Sequence, residues 1–117
     1  MHPQLMLLLE IQDLRLLRRA LVEEEKEEQV ESDHFNIEAE KAITALEEKI
    51  EKLEDELAPT IRKRYERGRQ NLNRMVVPVI GGVCYGCFVS VPTARTGEEN
   101  DEVQTCESCG RFIYFVS

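Results

Sequence analysis

Leucine and isoleucine recur early in the chain at helical spacing. Leu7, Ile11, Leu14, Leu17 and Leu21 stand four, three, three and four positions apart, which puts them on one face of a helix. Pro3 and Gln4 precede the run and suit a first helical turn, where proline's missing N–H costs nothing. Leu8, Leu9 and Leu16 widen the stripe, so this helix is expected to meet more than one neighbour near its start. Beyond Val22 the pattern becomes EEEKEEQVE, a solvated run in which Val30 is the one apolar residue. Ser32, Asp33 and Asn36 follow, and their side chains compete with the helix backbone for hydrogen bonds. The pattern predicts a helix–helix turn there, with Asp33 or Asn36 capping the next helix.

A cleaner heptad comes next. Ala39, Ile43, Leu46, Ile50, Leu53 and Leu57 alternate at spacings of four and three, and charged residues fill many of the positions between them. Pro59 either kinks a continuous helix or opens a new one. Ile61, Tyr65 and Leu72 carry the apolar face onward, and Gly68 weakens this stretch by up to ~1 kcal/mol relative to alanine. The first helix would be about 42 Å long, and the second about 57 Å if continuous to Asn73. Joined by a short turn, they are expected to fold back as an antiparallel coiled-coil hairpin. The alternative is one extended helix that pairs only as a dimer. After Met75 the character changes. VVPVIGGV, FVSVP and FIYFV are short strand candidates, the first confined to a sheet edge by its proline, and TARTGEEND reads as a polar loop.

All four cysteines fall in this last part, as C-x2-C, eighteen residues, C-x2-C: Cys84 and Cys87, then Cys106 and Cys109. Two residues between cysteines let a tight turn point both sulfurs inward, so each pair supplies half of a tetrahedron. Gly86 and Gly110 lie where such turns often need a positive φ. The spacing is that of a four-cysteine zinc site, with one structural Zn²⁺ held by protein alone and no open position for substrate. A redox C-x-x-C needs a helix start in a thioredoxin-like setting, and strand candidates flank both pairs here. A disulfide framework fits neither the expected compartment nor pairs so close in sequence. The segment of roughly 42 residues is too small to hold a core unaided, so metal binding would supply much of its folding free energy.

Composition narrows the partners. The chain has 117 residues, a net charge of −8, 32 % charged residues and no tryptophan. Residues 1–57 carry 7 basic and 17 acidic side chains, 58–75 carry 6 and 1, and 76–117 carry 2 and 5. Four thiolates and Zn²⁺ take the last segment from −3 to −5, a poor surface for gripping a phosphate backbone by itself. Leu5–Leu9 is too short for the apolar core of a secretory signal and runs into Glu10. No stretch approaches a transmembrane length, so a cytoplasmic protein without a membrane partner is expected.

With helices and cysteines placed, the stretches LLLEIQDLRL, RKRYERGRQNLNRMVVPVIGGVCYGCFVSVP and CESCGRFIY carry a resemblance. The chain is similar to bacterial coiled-coil proteins with a C-terminal four-cysteine zinc ribbon, a family labelled nucleic-acid-binding. The match at Tyr65-Glu66-Arg67, Gly82, the cysteines, Pro92 and Gly110 is the specific part. The resemblance implies a helical hairpin, a bound zinc and an adaptor or chaperone-like role. For some members it implies association with the alternative sigma factor of flagellar genes or with secretion systems.

Two further features are candidates. Arg62, Lys63, Arg64, Arg67, Arg69 and Arg74 concentrate the positive charge; they can meet RNA, DNA or an acidic partner, or pair with acids of the same hairpin. Glu28, Glu31, Asp33 and Glu38 make an acidic tip. It is similar to the fingers by which some transcription factors enter the secondary channel of RNA polymerase, or it is simply a solvated turn. His34 has no partner ligand nearby, and Phe35 packs over the turn or anchors a partner. No catalytic set or phosphate loop appears.

The reading is an α+β chain: a two-helix antiparallel hairpin over 1–75 and a zinc ribbon over 76–117. It is expected to be a zinc-binding, non-enzymatic adaptor or regulator that binds another protein, as a monomer or coiled-coil dimer, with a link to transcription or secretion. The alternatives are a nucleic-acid-binding module using residues 62–74 and an RNA polymerase regulator using the acidic tip.

Overall fold

Pro59 opens a new helix and does not bend an old one. In the computed structural model, helix α1 spans Pro3–Glu28, α2 Asp33–Asp55 and α3 Pro59–Arg69, followed by strands β1 (Val76–Ile80), β2 (Val83–Cys84), β3 (Gln104–Thr105) and β4 (Phe112–Val116). Residues 1–28, 33–72, 74–92, 100 and 102–116 are described, with the backbone alone for 25–28 and 33–37. Of the turn expected around Ser32–Asn36, residues 33–36 already belong to α2, so Asn36 lies inside the helix and does not cap it. Ser32, the side chains of Asp33, His34 and Phe35, and the loop TARTGEEND apart from Asn100 lie outside the described residues.

The second helical stretch is therefore not continuous to Asn73. Ala58, forced off helical geometry by the proline after it, is extended at φ −60° and ψ 145°. Its N–H donates to Gln4 Oε1 at 2.7 Å, and its carbonyl accepts from Arg62 N–H at 2.8 Å. At the start of α1, His2 does the capping. Its Nδ1 accepts from Gln4 N–H at 3.1 Å, and its carbonyl accepts from Leu5 and Met6, which satisfies donors a helix start leaves orphaned.

The chain divides into two compact units, Met1–Leu9 with Leu57–Ser117, and Glu10–Glu56. In the second, the heptad of α2 reads out as expected. Ala39 and Ile50 are buried, Ile43, Leu46 and Leu53 are half-buried, and the remaining positions from Glu40 to Lys52 are exposed. On α1, Ile11 and Gln12 are buried, while Leu17 leaves the predicted stripe and is 51 % exposed. Arg18 Nε donates to Glu47 Oε1 at 2.8 Å. Both groups are half in water, so this pair adds at most ~1 kcal/mol.

The other unit holds a four-stranded mixed sheet ordered β2-β1-β4-β3. Helices plus this sheet make the chain α+β. β1 pairs parallel with β4 from Val76↔Phe112 to Ile80↔Val116, and antiparallel with β2 over Val79↔Cys84 and Ile80↔Val83. β1 is thus an inner strand despite Pro78, contrary to the edge position expected. The register explains how. Phe112 N–H donates to the Met75 carbonyl, so parallel alternation turns the backbone groups of 75, 77 and 79 toward β4. Pro78's nitrogen faces the β2 side, where the ladder has ended and Tyr85 N–H needs only the Pro78 carbonyl, at 3.0 Å. FVSVP does not form a strand; Ser90 alone bridges Val83.

Side-chain alternation puts Val77, Val79 and Ile113 on one face of the sheet, where they pack with Val91, Cys84 and Cys106. Val76 and Phe112, equally buried, point to the opposite face. Gly68 has a packing reason: a Cβ there would stand 2.7 Å from Met75 Sδ. At the far end of β4, Asn100 acts as a one-residue strand. Its Oδ1 accepts from Phe115 N–H at 2.6 Å, its Nδ2 donates to the Phe115 carbonyl at 3.1 Å, and its own carbonyl accepts from His2 N–H at 2.7 Å.

Asn100→Ala leaves both Phe115 groups without these bonds. It is expected to destabilise this unit by about 1–3 kcal/mol, read as a lowered thermal midpoint. An unchanged midpoint would remove Asn100 from this account.

Candidate metal centre

Two short turns carry the cysteines, and they are built alike. In the first, Cys84 N–H donates to the Val89 carbonyl at 3.1 Å and Phe88 N–H to the Cys84 carbonyl at 2.7 Å. In the second, Cys106 N–H donates to the Arg111 carbonyl at 2.8 Å and Gly110 N–H to the Cys106 carbonyl at 2.8 Å. The offsets are the same, five and four residues. Each turn closes with a left-handed residue, Phe88 at φ 60° and Gly110 at φ 77°. The positive φ expected at Gly86 falls on Phe88 instead. Gly86 is small for another reason: a Cβ there would stand 2.6 Å from Cδ of Arg111. Arg111 reaches over the first turn, and its Nε donates to the Arg74 carbonyl at 3.0 Å.

The two turns bring four sulfurs together, all within 4.8 Å of one another. Across the turns, Cys84 and Cys109 Sγ lie 3.9 Å apart, and Cys87 and Cys106 Sγ 3.7 Å. A tetrahedron with Zn–S bonds of about 2.3 Å has edges of about 3.8 Å. The donor set and its spacing therefore fit one zinc ion. The same distances are far too long for disulfides, and no helix begins at either pair to favour redox chemistry. Cys84 and Cys106 are buried, Cys87 and Cys109 half-buried. Gly86 N–H points at Cys84 Sγ from 3.4 Å.

The thiols are not equivalent. Burial pushes Cys84 up to about 11, against the pull of the Gly86 and Cys87 backbone. At Cys87 burial also opposes ionisation, but the Val89 N–H and bonds from Cys106, Cys84 and Ser108 together outweigh it and bring the thiol down to about 7. Cys87 thus gives up its proton readily, and Cys84 only to a strong competitor for its sulfur.

The basic residues separate into two sets. Lys63, Arg64 and Arg67 line one groove of about 570 Å³ together with Cys109 and Gly110. The others go elsewhere. Arg62 Nε donates to Glu66 at 3.2 Å, Arg69 sits 5.8 Å from the centroid of the Tyr65 ring, and Arg74 offers its carbonyl to Arg111. Of the acidic tip, Glu38 is exposed on α2, while Glu28, Glu31 and Asp33 have no described side chains. Sequence reasoning missed Arg111, Asn100 and the aromatic pair Tyr85–Phe88, whose ring centroids are 5.6 Å apart. Phe88 was visible in principle, standing where the second turn has Gly110.

Among the described residues no helix is long and apolar enough to cross a membrane. No protein-family model matches the chain, and no curated protein or solved structure matches it.

Elemental analysis is expected to find one zinc per chain; a folded protein essentially free of metal would refute the site. Because each ligand must shed a proton, zinc affinity against a competing chelator should rise with pH. The rise should be steepest below about 7, where Cys87 joins Cys84 in being protonated. An affinity flat across that range would contradict thiolate ligation.

Proposed function

We propose that the protein is a zinc-binding, non-enzymatic adaptor that engages another protein through a coiled-coil hairpin and a zinc ribbon. In this reading residues 1–75 are the hairpin, 76–117 the ribbon, and the zinc is structural, since four thiolates fill its tetrahedron and leave no position for substrate. A reducing cytoplasm suits such thiols.

The observation that carries the protein-binding part is Phe88. A bulky residue in the left-handed region costs roughly 1–2 kcal/mol, yet Phe88 is 71 % exposed beside Tyr85 at 47 % and Val89 at 46 %. The second turn shows that glycine closes the same geometry without strain. An exposed aromatic held at an energetic cost contributes little to folding, and such positions collect at binding sites.

Phe88→Gly is therefore expected to leave stability unchanged or raise it by up to ~1 kcal/mol, while weakening capture of the protein that co-purifies with the wild type. Equal capture at equal stability would sink this role for Phe88. The absence of any co-purifying protein under gentle lysis would count against the adaptor itself.

A second reading, nucleic-acid binding by the basic segment 62–74, draws support from the three cations gathered in one groove. It predicts oligonucleotide binding that weakens steeply with salt, and lack of binding at low salt would eliminate it.

A further inference from the structure

Lys63, Arg64 and Arg67 project from α3 into a groove whose other wall is Cys109 and Gly110 of the second cysteine turn, with Asn71 at its end. The three cations are exposed, and among the described residues none of them meets a carboxylate. Glu66 is the single acid of residues 58–75 and is taken by Arg62. Part of their charge answers the metal. Four thiolates and Zn²⁺ carry a formal −2, so three cations leave the groove at +1, and Arg111 adds a further positive charge over the first turn. A metal-balancing role alone does not use them up.

Shape narrows the ligand. From Thr60 to its end at Arg69 helix α3 is about 14 Å long, with Asn71 just beyond it. An extended peptide rises about 3.3 Å per residue, so the groove accommodates about four or five residues. Chemistry narrows it again. The lining contains no aromatic ring, and the nearby Tyr65 is buried, so nothing offers bases a stacking platform. The chain as a whole is at −8, and a long polyanion leaving the groove would meet that charge. A short run of carboxylates suits two guanidinium forks and an ammonium.

We propose that the groove between α3 and the second cysteine turn binds an extended acidic segment, about four or five residues rich in Asp and Glu, of the protein partner. The inference rests on the adaptor reading and names the chemistry of its partner.

The test uses the zinc-loaded full chain and a fluorescent hexaglutamate peptide, followed by anisotropy at about 20 mM and about 150 mM salt. Saturable binding is expected at the lower salt. It should fall about tenfold or more in the triple variant Lys63→Gln, Arg64→Gln, Arg67→Gln, whose zinc content and thermal midpoint are checked alongside. Lys41→Gln, Lys49→Gln, Lys52→Gln removes equal charge from α2 and should stay within about twofold of wild type. Should the first triple lose zinc, Arg67→Gln alone carries the comparison. No saturable peptide binding at low salt overturns the proposal, as does equal loss in the α2 variant. A single-stranded oligonucleotide that displaces the peptide and binds more tightly assigns the groove to nucleic acid instead. A protein that co-purifies equally with wild type and the groove variant leaves the adaptor reading standing and removes the groove from it. Co-purification with neither ends the adaptor reading, while the peptide assay still decides the groove.

Discussion

Four sulfurs within bonding distance of one point are the constraint on which the cysteine-bearing sheet depends. Its small apolar cluster has six buried members, and two of them are the ligands Cys84 and Cys106. The remaining four, Val77, Val79, Val91 and Ile113, would each contribute about 1.5–3 kcal/mol on burial. A structural zinc contributes about 10–16 kcal/mol, so metal binding is at least comparable to this aliphatic packing. Without the metal, Cys84 and Cys106 would sit in the cluster as thiols, and the two turns would lose the bonds through which their sulfurs are joined. The parallel pairing of β1 with β4 spans 36 positions of sequence at every rung. Such a long closure needs something besides local preference to hold it.

Around that centre, single polar side chains do work that longer elements do elsewhere. Asn100 supplies both backbone-like groups that the end of β4 lacks and accepts the amide of His2. Gln4 then reaches the N–H of Ala58 just ahead of α3. In this way Met1–Leu9 belongs to the same compact unit as Leu57–Ser117. The first turn of α1 is fixed by its own cap and by contacts to residues far along the chain, which accounts for the broad early leucine stripe. Leu5 and Leu8 are fully buried there, although the narrower periodic face began at Leu7.

What the sequence disclosed follows from which interactions are local. Helical periodicity is local, so the buried positions Ala39 and Ile50 of α2 were readable from spacing alone. Pro59 left two outcomes open; the extended Ala58 and its bond to Gln4 decide between them, and that bond joins residues 54 apart. The cysteine spacing was readable for the same reason, since each turn closes within five residues. Leu17, Pro78, Gly86 and Phe88 were not. Two of them take their environment from segments distant in sequence: Pro78 from the parallel alternation against β4, Gly86 from the stem of Arg111. Local rules placed glycine's left-handed role at the glycine. The repeated backbone bonds place it one residue after each cysteine pair.

The same repeat bears on how metal and recognition are connected. Gly110 closes the second cysteine turn by donating to the Cys106 carbonyl, and it also forms a wall of the cationic groove. Cys109 does both as well, with its sulfur among the four and its body on the groove wall. A residue fixed by the metal is thus part of the surface that the proposed acidic segment would meet. The cations on α3, by contrast, stand on a helix that starts from its own proline. Removing zinc frees one wall and leaves the charges, so what is lost first is the shape of the groove and its selectivity for a short extended chain, while nonspecific attraction for anions persists. In the proposed site, zinc would act upstream of recognition: without touching the partner, it would hold the wall that turns the cations of α3 from a charged helix into a site.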